Sequence, residues 1–501
     1  MNLTPRAYQL AIYNSILQYG STLVILPTGL GKTAIGLMLI RDKMKEGKCL
    51  FLTPTKPLAK QHFESVKNIL TLDENDVTLV TGEMKPEKRI KEYEKSIVIT
   101  TPQTIRNDFE ENSLNAHFAL CIVDEAHRSV GDYAYVYVAN KMKEQNALIV
   151  GLTASPGGKA ERIKEVLDNL HIQNIEIRTS LDEDVKPYVQ QSFIKWIPVM
   201  LSPTLKLIKL TLDEMISKYA HALGALGFPP PLRNKGMFMK LRERILNIPH
   251  GIKYPALVNY SVLLNLLHMS ELIETQGMHA LRRYTEKVKE KTSKSGKLLL
   301  KEPNFAKVLE LLNSDEEHPK LKVLIDLIKS LQNKKIIVFA QYRDQVKLIE
   351  QELIKQGITA KQFVGKKDSY TRKMQEETIA AFRNNEFNVM VCSSVGEEGI
   401  DVPSVDTVIF YEPIPSEIRS IQRRGRAARL KEGEIYILMT KGTRDEYFYW
   451  SAFNKEKKMK AIIASLQNRL RKERPGLSKH TTQDPQPITN LQGQTKIGHF
   501  V

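Results

Sequence analysis

Short apolar runs rich in Val, Ile and Leu recur in two parts of this chain, and most of them end at a turn or a polar motif. Such runs between helical segments are typical of buried parallel strands joined by helical crossovers. The sequence therefore predicts two α/β domains. The predicted strands are 22–26, 49–53, 77–80, 97–100, 119–123 and 147–152 in the first domain, and 336–339, 360–363, 389–392, 407–410 and 434–439 in the second.

The segment between these two parts, residues 203–316, shows helical periodicity and few strand signals. Residues 203–302 carry 17 Lys and Arg against 8 Asp and Glu, a net charge of +9, while the whole chain has a net charge of +17. A basic excess favours a polyanionic partner, because binding releases condensed counterions. A solvated helical face is the alternative, but such faces are usually mixed in sign. The sequence favours a helical insertion that contacts a nucleic-acid backbone.

The sequence shows no sign of a membrane protein or of a secreted protein. No run of about 18 apolar residues occurs, and the N-terminus lacks a signal-peptide pattern. Cys49, Cys121 and Cys392 each lie inside an apolar run without metal-ligand spacing, so we expect buried free thiols. A reducing interior is the expected compartment. The predicted localisation is cytoplasmic and, for a nucleic-acid partner, associated with the nucleoid.

A glycine-rich turn, P-T-G-L-G-K-T at residues 27–33, follows the first predicted strand and precedes a helical segment. Strand, loop and helix in this order are the context of a phosphate loop. Gly29 and Gly31 let backbone N–H groups face phosphate oxygens at a helix N-terminus. Lys32 would reach the β- and γ-phosphates of ATP, and the Thr33 hydroxyl would bind Mg²⁺. The residues predicted to bind the nucleotide in this loop are Thr28, Gly29, Leu30, Gly31, Lys32 and Thr33.

An acidic pair follows the predicted strand 119–123 and begins the string D-E-A-H at residues 124–127. One carboxylate at a strand end can hold Mg²⁺ while its neighbour activates water. We assign Asp124 to the metal and Glu125 to the attacking water as general base. A solvated acidic turn is the alternative for such a pair in isolation.

A third element, P-R-A-Y-Q at residues 5–9, lies upstream of the loop. The amide of Gln9 offers a donor and an acceptor to an adenine edge. We therefore predict that Gln9 reads the base, with an ordinary helix start as the alternative.

Together with further motifs in the same order over residues 5–429, these strings resemble those of superfamily-two helicases. L-T-P-T-K-P-L at 52–58 is similar to motif Ia, T-T-P-Q-T at 100–104 to motif Ib, and T-A-S-P at 153–156 to motif III. The resemblance implies an α/β fold with two RecA-like parallel-sheet motor domains. It also implies that motif III couples ATP state to domain closure through Thr153 and Ser155. Backbone amides and Thr hydroxyls at strand ends can contact phosphates, and the candidate residues are Thr55, Lys56, Thr101, Pro102, Gln103 and Thr104.

Two motifs of the second domain complete the resemblance. S-S-V-G-E-E-G-I-D-V-P at 393–403 is similar to motif V. Ser394 is a candidate contact to the nucleic-acid strand, and Gly399 and Asp401 are candidates for the nucleotide side of the cleft between the domains. Q-R-R-G-R-A-A-R at 422–429 is similar to motif VI. Its residues Gln422, Arg426 and Arg429 share one helix face, so the two arginines could stabilise transition-state charge on the γ-phosphate. A basic helix that binds nucleic acid directly is the alternative.

A narrower resemblance, to the archaeal Hef and FANCM branch, rests on longer strings. They are D-E-A-H-R-S-V-G-D-Y-A-Y at 124–135, G-L-T-A-S-P-G at 151–157, G-E-E-G-I-D-V-P at 396–403 and K-G-T-R-D at 441–445. The resemblance implies 3′-to-5′ DNA translocation, remodelling of stalled forks and Holliday junctions, and an insertion that engages branched DNA. Most archaeal Hef proteins continue into an XPF-like nuclease. The E-R-K-x-x-x-D string does not occur here, so we expect no nuclease activity in cis and an XPF-like nuclease as a possible separate partner.

The final residues, Q-T-K-I-G-H-F-V at 494–501, resemble a sliding-clamp peptide. Gln494, Ile497 and Phe500 fit the spacing, although Val501 replaces the second aromatic residue. A short 3₁₀ turn would place Ile497 and Phe500 in one pocket. A disordered end with chance spacing is the alternative.

We therefore expect four parts: an ATP-binding domain over 1–200, a basic helical insertion over 203–316, a C-terminal helicase domain over 317–460, and a basic helix with a disordered tail over 461–501. The predicted function is an ATP- and Mg²⁺-dependent DNA helicase or translocase that acts on branched or forked DNA in repair. An RNA-directed motor stays open, because Dicer and RIG-I-type helicases share much of the motif spelling. A non-catalytic scaffold for branched DNA is the second alternative.

Overall fold

The computed structural model describes residues 4–70, 72, 76–111, 114, 116–157, 159–179, 182–188, 192–232, 234–248, 251–290, 293–365, 371–393, 405–414 and 433–472. They form two parallel sheets with flanking helices and one all-helical region. The predicted α/β class with two parallel-sheet domains and a helical insertion is confirmed.

The first sheet has seven strands in the order β3-β4-β2-β5-β6-β1-β7, and every pairing is parallel. The strands are β1 Thr22–Ile25, β2 Lys48–Leu52, β3 Val77–Leu79, β4 Ile97–Thr100, β5 Phe118–Asp124, β6 Leu148–Thr153 and β7 Asn174–Ile177. The helices are α1 Ala7–Tyr19, α2 Lys32–Lys43, α3 Lys56–Leu70, α4 Pro86–Glu92, α5 Pro102–Glu110, α6 Ala134–Glu144 and α7 Ala160–Asn169. The six strands predicted here are confirmed to within one residue at most ends.

Both faces of this sheet are covered by apolar cores, which explains the continuous apolar runs. Successive side chains of a strand point to opposite faces. Leu23 and Ile25 accordingly pack in one core, whereas Val24 packs in the other. Leu50 and Phe51 divide between the two cores in the same way.

The second sheet has six strands in the order β10-β11-β9-β12-β13-β8, again all parallel. They are β8 Ser192–Val199, β9 Ile336–Phe339, β10 Ala360–Phe363, β11 Val389–Cys392, β12 Thr407–Phe410 and β13 Gly433–Thr440. The helices are α14 Pro319–Ser330, α15 Arg343–Lys355, α16 Arg372–Arg383 and α17 Arg444–Lys472.

Two predicted domain boundaries are wrong. Strand β8 lies within the range 1–200 assigned to the first domain, yet it pairs with β13 along its whole length in the second sheet. The chain therefore enters the second domain before the helical segment, so the insertion interrupts that domain. The boundary at 460 also falls inside the continuous helix α17. Met459 and Ile463 of this helix are buried in a core of the first domain.

The insertion is a helical bundle around one central helix. Its helices are α8 Pro203–Ala225, α9 Lys235–Leu246, α10 Lys253–Thr275, α11 Met278–Glu290, α12 Lys294–Leu300 and α13 Pro303–Leu311. Helix α10 contacts α8, α9, α11 and α12, and it contributes Leu263 and Leu266 to the bundle core. Among the described residues it is the one helix long and apolar enough to cross a membrane, with a mean hydropathy of 1.3, but half of that window is buried.

Partly and fully buried polar contacts hold the insertion on the second domain. Arg444 of α17 donates from its backbone N–H to Glu274 Oε2 (2.8 Å) and from Nη1 to the Leu267 carbonyl (2.9 Å) of α10. Burial lowers the pKa of His318 to about 3, so its ring is neutral. Its Nδ1 accepts from the Lys320 N–H (3.1 Å), so Nε2 carries the hydrogen and donates to the Glu274 carbonyl (3.0 Å).

A fully buried ion pair lies at the same junction. The side chains of Lys320 on α14 and Asp445 on α17 are paired and both 0% exposed. Asp445 Oδ2 also accepts from the Thr440 N–H (2.9 Å), and Lys320 Nζ lies 5.5 Å from the centre of the Tyr411 ring. The K-G-T-R-D string at residues 441–445 thus anchors the start of α17 to both the second sheet and the insertion.

We predict that Asp445→Asn destabilises the second domain by about 3–5 kcal/mol, because it leaves the Lys320 charge buried without a counter-charge. The matched control is Asp344→Asn, which breaks the half-exposed ion pair with Arg283 and should cost about 1 kcal/mol or less. Urea unfolding followed by circular dichroism measures both. The double variant Lys320→Met/Asp445→Leu should recover most of the loss. Equal effects of the two Asn variants would contradict the prediction.

Candidate nucleotide-binding site

Five motif-bearing loops of the first domain lie along one edge of its sheet. Strands β4, β2, β5, β6 and β1 are neighbours in this order, and all run parallel. The residues after their carboxyl ends are, in the same order, 101–104, 53–58, 125–127, 154–156 and 26–33. Ligands of open α/β sheets bind outside the carboxyl ends of the strands. The predicted nucleotide and strand-contacting motifs therefore share one edge, with motif III between the acidic pair and the phosphate loop.

The phosphate loop has the conformation that its glycines allow. Gly29 (φ +86°) and Gly31 (φ +74°) are left-handed, and Gly31 is the N-cap of α2. A Cβ on Gly31 would lie 2.5 Å from Gln9 Nε2 and would displace that side chain, and the left-handed backbone itself favours glycine. Lys32 Nζ donates to the Leu26 carbonyl (3.0 Å) across the loop. Such an N-terminus, with a lysine beside it, is suited to bind phosphate.

Helix α1 holds this loop from outside. The Leu30 carbonyl accepts from the Tyr8 hydroxyl (2.7 Å) and from Gln9 Nε2 (3.1 Å). Gln9 Oε1 accepts from the Arg6 N–H (2.9 Å), and Gln9 is only 4% exposed. The structure therefore brings Gln9 to the loop, where it braces the backbone. Its contact with adenine stays a prediction.

The acidic pair lies at the end of β5 in an unusual backbone conformation. Glu125 has φ +50° and ψ +47°, a left-handed conformation that non-glycine residues rarely adopt and that is often kept at functional sites. The Tyr135 hydroxyl donates to the Asp124 carbonyl (2.7 Å) and holds the turn. Glu125 Oε2 is buried and accepts no hydrogen bond from the described residues, although His127 Nδ1 lies 3.3 Å away.

The oxygen atoms at this edge fit a magnesium–nucleotide complex. The Thr33 hydroxyl and the carboxylates of Asp124 and Glu125 belong to the ligand class that Mg²⁺ prefers. Among the described residues, no group of three His, Cys, Asp or Glu could hold a metal by itself. Magnesium in nucleotide sites is usually held by one or two carboxylates together with phosphates, which agrees with this arrangement.

Asp124 has a buried partner that the sequence motifs did not predict. His62 Nε2, on α3, lies 3.1 Å from Asp124 Oδ2. Burial by itself would raise the pKa of Asp124, but the His62 hydrogen bond and the charge of Lys32 hold that pKa below its ordinary value. His62 shares the buried face of α3 with Ala59 and Val66. A histidine on that apolar face was the available signal, and it is equally typical of a core residue.

Motif III contacts the residue before the phosphate loop, the histidine of the D-E-A-H string, and α17. The Thr153 carbonyl accepts from the Leu26 N–H (3.0 Å), and the Thr153 hydroxyl lies 3.3 Å from His127 Nδ1. The same hydroxyl accepts from the Ser155 N–H (3.1 Å). The Ser155 hydroxyl donates to Met459 Sδ (2.9 Å). Thr153 and Ser155 are thus brought together at the site, and Met459 is a contact that the sequence did not predict.

The candidate strand contacts differ in exposure. Gln103 is exposed, while Thr55 and Lys56 are half-buried, and Lys56 is paired with Glu83. Pro102 and Thr104 are buried, and Thr104 Oγ1 lies 2.9 Å from Thr101 Oγ1. The side chains of Pro102 and Thr104 are therefore not accessible to a nucleic-acid strand, because both are buried where α5 begins. The remaining predicted residues lie outside the described part of the chain: Ser394, Gly399, Asp401, Gln422, Arg426, Arg429, Gln494, Ile497 and Phe500.

Three family models match the chain. They are "Type III restriction enzyme, res subunit" over residues 2–158, "Helicase conserved C-terminal domain" over 319–431, and "Putative ATP-dependent RNA helicase, helical bundle" over 247–318. The crystal structure of the Pyrococcus furiosus Hef helicase domain is similar with a TM-score of 0.70 and 40% identity. That similarity covers 89% of this chain and 98% of the Hef helicase domain.

Two curated relatives illustrate the similarity in sequence. A "Putative ATP-dependent RNA helicase" of Methanocaldococcus jannaschii is 39% identical over 93% of this chain. The "ATP-dependent DNA helicase MPH1" of Pyricularia oryzae is 34% identical over 92% of it. The chain spans 62% of the first relative's length and 46% of the second's.

We predict that Gly31→Ala weakens ATP binding at least tenfold, because the new Cβ would collide with Gln9 at a left-handed position. The control is Gly131→Ala. Gly131 is also left-handed (φ +59°), but a Cβ there meets nothing within 4 Å. This control should cost about 1–2 kcal/mol of stability without changing ATP affinity. Titration with a fluorescent ATP analogue and thermal melting measure the two effects. Unchanged affinity in Gly31→Ala would contradict the prediction.

Proposed function

The chain belongs to the Hef/FANCM branch of superfamily-two helicases, and from this premise we propose that it is an ATP-driven motor that moves 3′ to 5′ along DNA. We propose that its substrates are branched structures such as stalled forks and Holliday junctions. The observation that carries the proposal is the shared edge of the first sheet, where the phosphate loop, the acidic pair and motif III adjoin motifs Ia and Ib.

On this proposal, each group at the edge has one task in ATP hydrolysis. The loop amides and Lys32 would bind the phosphates, and Thr33 and Asp124 would hold Mg²⁺, which would supply positive charge against the charge of the phosphates. Glu125 orients and deprotonates the attacking water. Its buried Oε2, which accepts no hydrogen bond from the described residues, supports this role. Gln9 would contact the adenine while it braces the loop.

The second motor domain would complete the site from the other side of the cleft. Gln422, Arg426 and Arg429 would approach the γ-phosphate, and Gly399 and Asp401 would line the nucleotide side. ATP would then close the cleft and hydrolysis would open it. Motif III contacts Leu26 at the start of the loop, His127 beside the acidic pair, and α17 through Thr153 and Ser155, which supports a coupling role for both residues.

The DNA would follow the side of the edge that carries motifs Ia and Ib. Thr55, Lys56, Thr101 and Gln103 are the contacts that we propose in the first domain, with Ser394 in the second. The insertion would bind the branch point of the DNA. Its net charge of +9 over residues 203–302 and its polar attachment to the second domain support a branch-binding element that moves with that domain.

Two partners and a location complete the proposal. An XPF-like nuclease would act in trans on the structures that the motor exposes. Gln494, Ile497 and Phe500 would bind a sliding clamp. We propose that the protein acts in the cytoplasm at the nucleoid, where such DNA is found.

We predict that Lys32→Ala abolishes ATP hydrolysis and fork remodelling together. Glu125→Gln should keep ATP binding but lower kcat by about 10²–10⁴-fold, the usual contribution of a general base. Lys91→Ala, an exposed lysine of the same domain, is the control. ATPase rates and strand separation are measured on single-stranded, forked and four-way DNA. Fork remodelling that survives Lys32→Ala would instead support the non-catalytic scaffold.

An RNA-directed motor is the second candidate, because one matching family model and the Methanocaldococcus jannaschii relative carry RNA helicase in their names. We predict that forked DNA stimulates the ATPase more than duplex RNA of the same sequence and length. The comparison is made at matched salt, since backbone binding is strongly salt-dependent. Stimulation by RNA alone would overturn the DNA assignment.

A further inference from the structure

The contact between His62 and Asp124 joins helix α3, which begins within motif Ia, to the acidic pair at the end of β5. The side chains are 9% and 12% exposed, so the hydrogen bond is shielded from solvent. The imidazole also packs against Phe51, with ring centroids 4.5 Å apart and planes 30° from each other. Phe51 belongs to β2, next to β5 in the sheet. The ring is therefore held between its own helix and the sheet, and it points at the carboxylate.

The tautomer of His62 follows from its surroundings. His62 Nδ1 is buried and has no hydrogen-bond partner among the described residues. A hydrogen on Nδ1 would be an unsatisfied buried donor, which costs about 1–3 kcal/mol. An ionised carboxylate can only accept a hydrogen bond, so Nε2 carries a hydrogen and donates it to Asp124 Oδ2 at 3.1 Å.

From this geometry we infer that His62 is a positioning residue for the ATPase reaction. Its N–H holds Oδ2 of Asp124, and the Glu125 backbone N–H also bonds this carboxylate. Together these contacts would fix the rotation of the carboxylate that would hold the nucleotide's metal. Partners of metal ligands commonly have this task, and their loss costs about 10–100-fold in metal affinity or activity. His62 touches neither the nucleotide nor the reacting atoms, and it acts only through Asp124.

The location of His62 on α3 adds a second consequence, which rests on the proposed function. Helix α3 begins at Lys56, within motif Ia. His62 follows six residues later, about 9 Å along the axis at 1.5 Å per residue. A DNA strand that contacts Thr55 and Lys56 would fix the N-terminus of the same helix that holds Asp124. His62 would thereby carry the presence of DNA to the metal side of the ATP site.

The experiment compares three substitutions in the full chain. His62→Leu keeps most of the volume but removes the donor. His62→Gln keeps a donor of similar reach, and His62→Asn keeps a donor that is too short. Substitutions of the exposed His117 to Leu and Gln serve as controls. Thermal melting establishes that each variant is folded.

Two readouts separate positioning from packing. The first is calorimetric binding of a non-hydrolysable ATP analogue at increasing Mg²⁺ concentration, which requires no turnover. We expect His62→Leu and His62→Asn to raise the Mg²⁺ concentration for half-maximal binding about tenfold or more, and His62→Gln to stay within about threefold of the wild type. The second readout is the ratio of the DNA-stimulated ATPase rate to the basal rate. This ratio should fall in His62→Leu and His62→Asn and stay at the wild-type value in His62→Gln.

Equal Mg²⁺ dependence of the Leu, Asn and Gln variants would overturn the proposal, and so would wild-type behaviour of His62→Leu. If His62→Leu is too unstable to measure, the comparison of His62→Asn with His62→Gln decides, since both new side chains are polar and they differ in reach. A wild-type chain whose ATPase does not respond to DNA would refute the proposed function. The Mg²⁺ dependence of analogue binding would still test His62 in that case.

Discussion

The backbone pairing of β8 with β13 determines where the rest of the chain after residue 191 can lie. Eight residues of each strand are in register, from Ser192 with Gly433 to Val199 with Thr440. The insertion starts from the carboxyl end of β8 and returns through α14 to β9, two strands away from β13 in the same sheet. Both of its ends are therefore attached to one domain, and Arg444 and His318 add partly and fully buried polar contacts at that attachment. The insertion is an outgrowth of the second domain, although the order of the sequence places it between the two sheets.

The apolar runs predicted most of the fold because both faces of each sheet are buried, so strand residues can be apolar without alternation. Strand β7 escaped this pattern, since its sequence N-I-E-I contains two buried polar residues. Asn174 and Glu176 are satisfied by Ser15 and Arg178, partners that the sequence does not identify. Strand β8 escaped for the opposite reason. It is an edge strand with the exposed side chains of Ile194 and Lys195, and its partner lies about 240 residues away.

The candidate site likewise contains residues that the sequence predicts and residues that it does not. The phosphate loop and the acidic pair are contiguous strings whose chemistry depends on local backbone, so the sequence predicts them directly. His62 and Met459 reach the site over 62 and 304 residues, and no local pattern distinguishes them from ordinary core residues. Gln9 is an intermediate case. Its position beside the loop agrees with the prediction, but both ends of its amide are bonded to the chain itself, which gives it a structural task as well.

Helix α17 connects the two domains a second time, because one part of it is attached to each domain. It is 29 residues long, about 43 Å at 1.5 Å per residue. Its first turn is fixed in the second domain by Asp445, while Met459 and Ile463 are packed in the first domain. The segment between β7 and β8 is the other crossing between the two domains. The two domains therefore cannot separate while Met459 and Ile463 stay packed in the first domain. Separating the domains would expose these apolar side chains to water, which costs free energy.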